Sequence, residues 1–240
     1  MPEQDPGGKP AIIFDLDGTI LSLNSFRLWV SQMITGRFPG MTLWRRAVLM
    51  VNATKALAKR KAGLTCHETL KWTLQRHWQK ATQGDGGAGE REFVQRLCGH
   101  VRPELIGLLA AVAEGKIDAV MATAAAADYA EAFGRLLGFS HILATPRVRE
   151  EGSPSTVGVR KRDAVLAHLA GLGWQSRPII FFTDHIEDLP LILRSHTVYW
   201  FGAEEERRGL AGRITGTTIL PGRRGDEILA KIGMGTGSRC

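Results

Sequence analysis

Five short apolar runs, separated by stretches of helical spacing, constrain this chain more than anything else in its sequence. They are AIIFD from Ala11 to Asp15, DAVMAT from Asp118 to Thr123, HILAT from His141 to Thr145, PIIFFTD from Pro178 to Asp184 and TVYWFG from Thr197 to Gly202. Runs of this length, rich in β-branched and aromatic residues, read as strands buried on both faces. Helices are expected between them: from Pro103 to about Ala113, from Asp128 to Leu137 with Gly138 as the stop, and from Lys161 to Leu172 closed by Gly173. Strands alternating with helices of this length predict an α/β fold, a Rossmann-like, mostly parallel sheet with helices on both faces. Ligands of such a sheet sit at the carboxyl ends of its strands.

The interval after the first run breaks this rhythm. From Ser25 to about Arg102 there is no strand-like alternation, while helical spacing recurs in Phe26, Trp29, Val30 and Met33, then in Leu43, Trp44, Ala47, Val48 and Val51, then in Leu70, Leu74 and Trp78. Residues 22–102 therefore read as a helical insertion between two parts of one α/β unit, residues 1–21 and 103–240. Trp29, Trp44 and Trp72 are expected to pack helices together, and the glycine tract from Gly84 to Gly89 is expected to be a flexible loop or hinge.

Composition narrows the class further. A chain of 240 residues with 44% hydrophobic and 23% charged residues can bury a core. Cys66, Cys98 and Cys240 are too few and too scattered for a disulfide framework or a sulfur-based zinc site, which favours a reducing compartment. The polar N-terminal residues carry no apolar signal-like core, and the longest apolar stretches fall short of a membrane span, so a cytoplasmic protein is expected.

The net charge of +7 is unevenly placed. Residues 22–102 hold 14 basic and four acidic side chains, and the remainder is slightly acidic. This segment is expected to steer an anionic substrate. The stripe of Leu43, Trp44, Ala47, Val48 and Val51, flanked by Arg45, Arg46, Lys55 and Lys59, is expected to pack inside the insertion, with a bilayer surface as the alternative.

The acidic residues stand where a parallel sheet puts its ligands. In FDLDGT, Asp15 and Asp17 point to one side of an extended chain, and Gly18 lets the backbone turn sharply after them. Asp-Gly is also ordinary turn chemistry, and only its company gives it weight. Two carboxylates in one small space call for a cation, and all-oxygen coordination suits Mg2+. In TDHIEDLP, Asp184 ends a strand and Asp188 follows four residues on, which would put both on one face of a first helical turn. Thr123 ends another strand, and Lys161 stands at a helix start.

Taken in order, FDLDGT, MAT, GVRKRDAV and TDHIEDLPLI resemble the four motifs of the haloacid dehalogenase superfamily of phosphatases. The helical insertion falls at the cap position of that family's phosphoserine-phosphatase-like branch, subfamily IB. The resemblance implies a catalytic core of residues 1–21 and 103–240 under a cap of residues 22–102. It implies that Asp15 attacks phosphorus and carries an aspartyl-phosphate, and that Asp17 protonates the leaving group and then activates water. The metal site would comprise Asp15, the backbone carbonyl of Asp17 and the carboxylate of Asp184, with Asp188 behind them. Thr123 would bind a phosphoryl oxygen, and Lys161, placed by its spacing from Gly158 between Arg160 and Arg162, would offset charge. Thr19 and Gly18 would form the turn on the substrate side, Thr19 orienting Asp17 or capping the turn. Ala124 to Ala127 replace the more polar residues common after the second motif.

The implied activity is a Mg2+-dependent phosphatase acting on a small phosphorylated metabolite or a lysophospholipid-type phosphomonoester. A phosphotransferase or phosphomutase using the same intermediate is the near alternative, and a non-catalytic anion-binding or membrane-binding module the distant one. Nucleic acid is not an expected partner, a membrane surface is the minority reading, and oligomeric state is not legible.

Overall fold

The computed structural model describes residues 9–38, 41–147, 156–222 and 225–231. Its strands are β1 (Ala11–Phe14), β2 (Ala119–Ala126), β3 (His141–Thr145), β4 (Ile179–Thr183), β5 (Thr197–Trp200) and β6 (Thr218–Pro221). They form one parallel sheet in the order β3-β2-β1-β4-β5-β6. The order reverses between β1 and β4, and the crevice beyond the carboxyl ends of those two strands is where a doubly wound sheet takes its ligand.

Each strand divides its side chains between two cores. Ile12 and Phe14 of β1 join Met121, Ile180 and Phe182 on one face, whereas Ala11 and Ile13 join Val120, Phe181 and Val198 on the other. That period of two, with apolar residues at every position, is why the runs show no polar alternation. Against the first face pack α5 (Ile106–Ala113), α6 (Ala127–Leu136) and α10 (Gly225–Lys231); against the second pack α7 (Gly158–Gly171), α8 (Leu189–Ile192) and α9 (Glu204–Ala211).

Between β1 and α5 the chain forms α1 (Ser25–Thr35), α2 (Leu43–Lys61), α3 (His67–Thr82) and α4 (Ala88–Cys98), with no strand among the described residues of this interval. Their buried faces, including Trp29, Leu74, Trp78 and Phe93, run into the first core through Tyr129 and Phe133 of α6. The glycine tract expected as a flexible loop is a tight turn, because Asp85 accepts hydrogen bonds from the N–H of Gly87 at 2.7 Å and of Gly89 at 3.0 Å, capping α4.

The apolar stripe of α2 is on the wrong side for the packing expected of it. Leu49, Ala53 and Ala56 form the buried face, while Leu43, Trp44, Ala47, Val48 and Val51 are exposed. The helix carries apolar residues on two faces, and periodicity alone does not choose between them. Trp29 and Trp72 are buried as expected; Trp44 is not.

Other boundaries move for local reasons. β2 continues past Thr123 to Ala126, pairing again with β3 at Thr145 after an irregularity in register. Pro103 begins a short 3-10 turn, and α5 proper starts at Ile106. α7 starts at Gly158 rather than Lys161. The run at Thr197 is neither long nor last, since β6 follows it and ends at Pro221, as a proline suits an edge strand. Among the described residues no helix is long and apolar enough to cross a membrane.

Two glycines test how tightly the helices sit. Gly138 has φ of 90°, and a Cβ there would run into the backbone of Ala113. A Cβ at Gly134 would meet only the ends of the Ile142 and Met121 side chains. Gly138→Ala should therefore lower unfolding free energy by roughly 2–4 kcal/mol in a denaturant titration, combining left-handed strain with overpacking against backbone. Gly134→Ala should cost about 1 kcal/mol or less.

Candidate active site

β1 delivers Asp15 directly into the crevice: the Asp15 N–H donates to the Phe182 carbonyl at 2.9 Å, so the strand register continues one residue past the strand end. Asp15 is 8% exposed, and Lys161 donates to its Oδ1 at 2.7 Å. The same ammonium donates to Oδ2 of Asp188 at 2.8 Å, and that oxygen also accepts the Thr183 hydroxyl at 2.6 Å. Lys161 is itself buried, over the ring of Phe181. Burial would lower its pKa, but the two carboxylates outweigh burial and hold the ammonium above its ordinary range. Burial pushes Asp15 up to about 7 against the opposing pull of Lys161, with Asp188 adding to the rise.

Asp17 is held differently. The Ser25 N–H at the start of α1 donates to its Oδ1 at 2.8 Å, and the Ser25 hydroxyl shares a buried hydrogen bond of 2.9 Å with the Tyr129 phenol. Burial raises the pKa of Asp17, restrained first by its bonds to Ser25 and then by the charges of Lys71 and Lys161. Lys71, on α3, donates to the Ala124 carbonyl at 2.9 Å and lies over the Phe26 ring.

Gly18 makes the turn with φ of 73°, and a Cβ there would land in the Asp184 carboxylate. Its carbonyl accepts from Nε and Nη2 of Arg102 at 3.2 and 2.9 Å, which pins the loop to the chain where it leaves the helical segment. Thr123 is buried at the pocket wall, its Oγ1 accepting from the Ala125 N–H at 3.0 Å.

Asp15, Asp17, Gly18, Thr123, Lys161, Asp184 and Asp188 all line one pocket of about 430 Å3. Thr19 does not line it: the side chain is fully buried and its hydroxyl finds no partner among the described residues. Asp184 precedes the short helical turn instead of sharing its face with Asp188, because the chain stays extended through His185 before turning at Ile186. Sequence reasoning missed Ser25, Lys71, Arg102, Thr156 and Thr183. Thr183 had a signal in its place at the end of the PIIFFTD run. Thr156, buried at the pocket wall with an Oγ1 that has no partner among the described residues, had none.

No three acidic or histidine side chains among the described residues form a ready metal cage. Asp17 spends Oδ1 on Ser25, and Asp188 spends Oδ2 on Lys161 and Thr183. Asp15, whose Oδ1 accepts from Lys161, and Asp184 face the pocket from the ends of adjacent strands. That donor set fits Mg2+, which keeps several waters and takes one or two carboxylates, and does not support Asp188 as a direct ligand.

Removing Lys161 tests this arrangement. Asp15 titrates near 7 when folded, above its ordinary 3.8, so its contribution to stability is present at low pH and lost as pH rises through about 7. Lys161→Met removes the main pull opposing that rise. The variant should lose roughly 3–5 kcal/mol at mildly alkaline pH and distinctly less near pH ~5, read from melts across pH. A deficit independent of pH would mean that Lys161 contributes only packing.

The haloacid dehalogenase-like hydrolase family matches residues 12–193. A search of curated proteins returned no match. Among solved structures, a protein with unknown function from Bordetella pertussis Tohama I is similar at 17% identity and a TM-score of 0.67, over 89% of this chain and 99% of that one. A HAD family hydrolase from Salmonella enterica subsp. enterica serovar Typhi is similar at 15% identity and a TM-score of 0.56, over 95% and 72%. A probable phosphoserine phosphatase from Vibrio cholerae, in unliganded form, is similar at 11% identity and a TM-score of 0.59, over 94% and 65%. At these identities the likeness is one of fold. The family match runs from β1 past Asp188 and spans the intervening helices, and on that ground this chain belongs to the haloacid dehalogenase-like hydrolases.

Proposed function

We propose that this chain hydrolyses a phosphomonoester through an aspartyl-phosphate on Asp15. The observation that carries the reading is the pair of differently held acids at one strand end: Asp15 against the Lys161 ammonium, Asp17 turned aside onto the Ser25 N–H. One carboxylate is kept close to a cation, as a nucleophile toward a phosphate needs. The other has no ammonium bonded to it and is oriented by a neutral N–H, as an acid that must carry a proton to a leaving group needs.

In this reading an Asp15 oxygen attacks phosphorus as the ester P–O bond breaks, and the leaving oxygen takes the proton of Asp17. Water then attacks the phosphoryl group, Asp17 recovers a proton from it, and Asp15 departs as a carboxylate with inorganic phosphate released. Lys161 holds Asp15 in place and offsets charge on the phosphoryl oxygens. Thr123 and Thr156 offer hydroxyls at the pocket wall. Mg2+, held by Asp15, Asp184 and the Asp17 backbone carbonyl, would neutralise the phosphate dianion and keep Asp15 ionised. Residues 22–102 serve as the cap, and a small phosphorylated metabolite suits a pocket of this volume. Transfer to an alcohol instead of water would use the same Asp15 adduct.

Turnover of an aryl phosphate should require Mg2+ and stop in EDTA; undiminished activity in the chelator would sink the metal assignment. Asp15→Asn should abolish turnover and the acid-stable, hydroxylamine-labile phosphoenzyme that the native chain forms. Asp17→Asn should slow the first turnover of an alkyl phosphate by about 10²–10⁴ and that of an aryl phosphate much less, since only the alkoxide needs an acid. The phosphoenzyme should then accumulate with the aryl substrate. Equal losses in first-turnover rate for both substrates would remove Asp17 as the proton donor.

A further inference from the structure

We propose that the exposed face of α2 is a docking surface for an anionic lipid bilayer. Leu43 is 81% exposed, Trp44 76%, Val51 51% and Val48 38%, and Ala47 is exposed beside them. At about 100° per residue these positions fall within an arc of roughly 140°. Lys55 and Lys59 continue the same arc, and Lys61 lies directly above Leu43. One helix face is thus apolar over its first half and cationic over its second.

The charge says what this face meets. α2 carries six basic residues and no acidic one. Arg45 and Arg46 are engaged with the carbonyls of Gln83 and Met41. Lys55, Lys59 and Lys61 form no ion pair among the described residues. The opposite face, Leu49, Ala53 and Ala56, already supplies the packing that holds α2 on α1 and α3, so the exposed side chains are not part of the helix's own anchorage.

A second copy of this chain would bring no carboxylate on this helix to meet the three lysines. A bilayer of anionic lipids answers both halves: tryptophan and leucine enter the headgroup boundary, and lysines lay their stems along it and their ammonium groups on phosphates. An apolar patch of this size or a few lysines alone would bind weakly, and stable attachment takes the two together. The attachment is peripheral, since no described helix is long and apolar enough to span.

The test uses the full chain in co-sedimentation with vesicles of phosphatidylcholine alone and of phosphatidylcholine mixed with phosphatidylglycerol. Binding is expected to the mixed vesicles only, and to weaken as salt is added. Lys55→Gln, Lys59→Gln and Lys61→Gln combined should weaken it about a hundredfold, each charge near the surface counting for roughly five-fold. Leu43→Ser with Trp44→Ser should weaken it at least tenfold while leaving circular dichroism and turnover of a soluble aryl phosphate unchanged. Trp44→Phe should remove the vesicle-induced blue shift of fluorescence. The proposal fails if the chain stays in the supernatant with anionic vesicles or binds neutral ones equally. It fails if Leu43→Ser with Trp44→Ser binds like the native chain. It also fails if light scattering shows a dimer that the same pair of substitutions dissociates.

Discussion

The Lys161 ammonium between Asp15 and Asp188 is the interaction on which the rest of the site depends. A carboxylate at the end of β1 and another on the turn after β4 are brought together because those strands are neighbours in a parallel sheet. Without a buried cation, that neighbourhood would cost several kcal/mol. α7 supplies the cation from across the sheet's second face, and Thr183 adds a neutral donor to Asp188 so that the ammonium need not satisfy it alone. Burial raises Asp15 even so, which leaves the site short of positive charge. A divalent cation would relieve that shortage, and its charge would in turn favour the binding of a phosphate dianion.

The helical segment is tied to the site and to the α/β unit at several points. Ser25 orients Asp17, Lys71 reaches the Ala124 carbonyl beside Thr123, and Arg102 grips the carbonyl of Gly18. A further set of contacts ties α3 to α6: Gln75 and Gln79 donate to the buried Asp128, at the first turn of that helix, at 2.8 and 3.1 Å. Burial raises the pKa of Asp128, with the two glutamines restraining the rise. Each contact spends a buried polar group of one part on a group of the other, so the placement of α1 and α3 and the geometry of the acids are coupled. Movement of the helices would reach Asp17 through Ser25 before it reached Asp15, whose partners all lie on the sheet side.

Much of this was legible in the sequence because parallel-sheet strands announce themselves as unbroken apolar runs, and because their ends must carry whatever polar chemistry the fold performs. Asp15, Asp17, Lys161, Asp184 and Asp188 lie at those ends or on the helix after them, whereas β2 runs on past Thr123 to Ala126. β6 was missed because an edge strand of four residues, flanked by glycine and ended by proline, has too few apolar positions to show a period. Thr19 was misplaced because backbone direction after a left-handed glycine does not follow from spacing. Ser25, Lys71 and Arg102 act through contacts 8 to 84 residues away in sequence, and no local pattern encodes those.

The same reasoning explains why α2 misled. Periodicity measures how apolar residues are spaced, whereas burial depends on which face finds a partner. In α2 the smaller face, Leu49 with two alanines, wins because alanines let α1 and α3 approach closely, and dispersion contacts grow with that approach. The larger face would have held the neighbours apart. It is left outside at a cost in water that packing within the chain does not recover, and it is accompanied by lysines whose charge opposes contact with like surfaces. An apolar face with its own electrostatic guard is a different object from a scattered exposed leucine. The guard suppresses contact with like surfaces and favours contact with an anionic one, so the two properties together select a surface that either alone would leave unspecified.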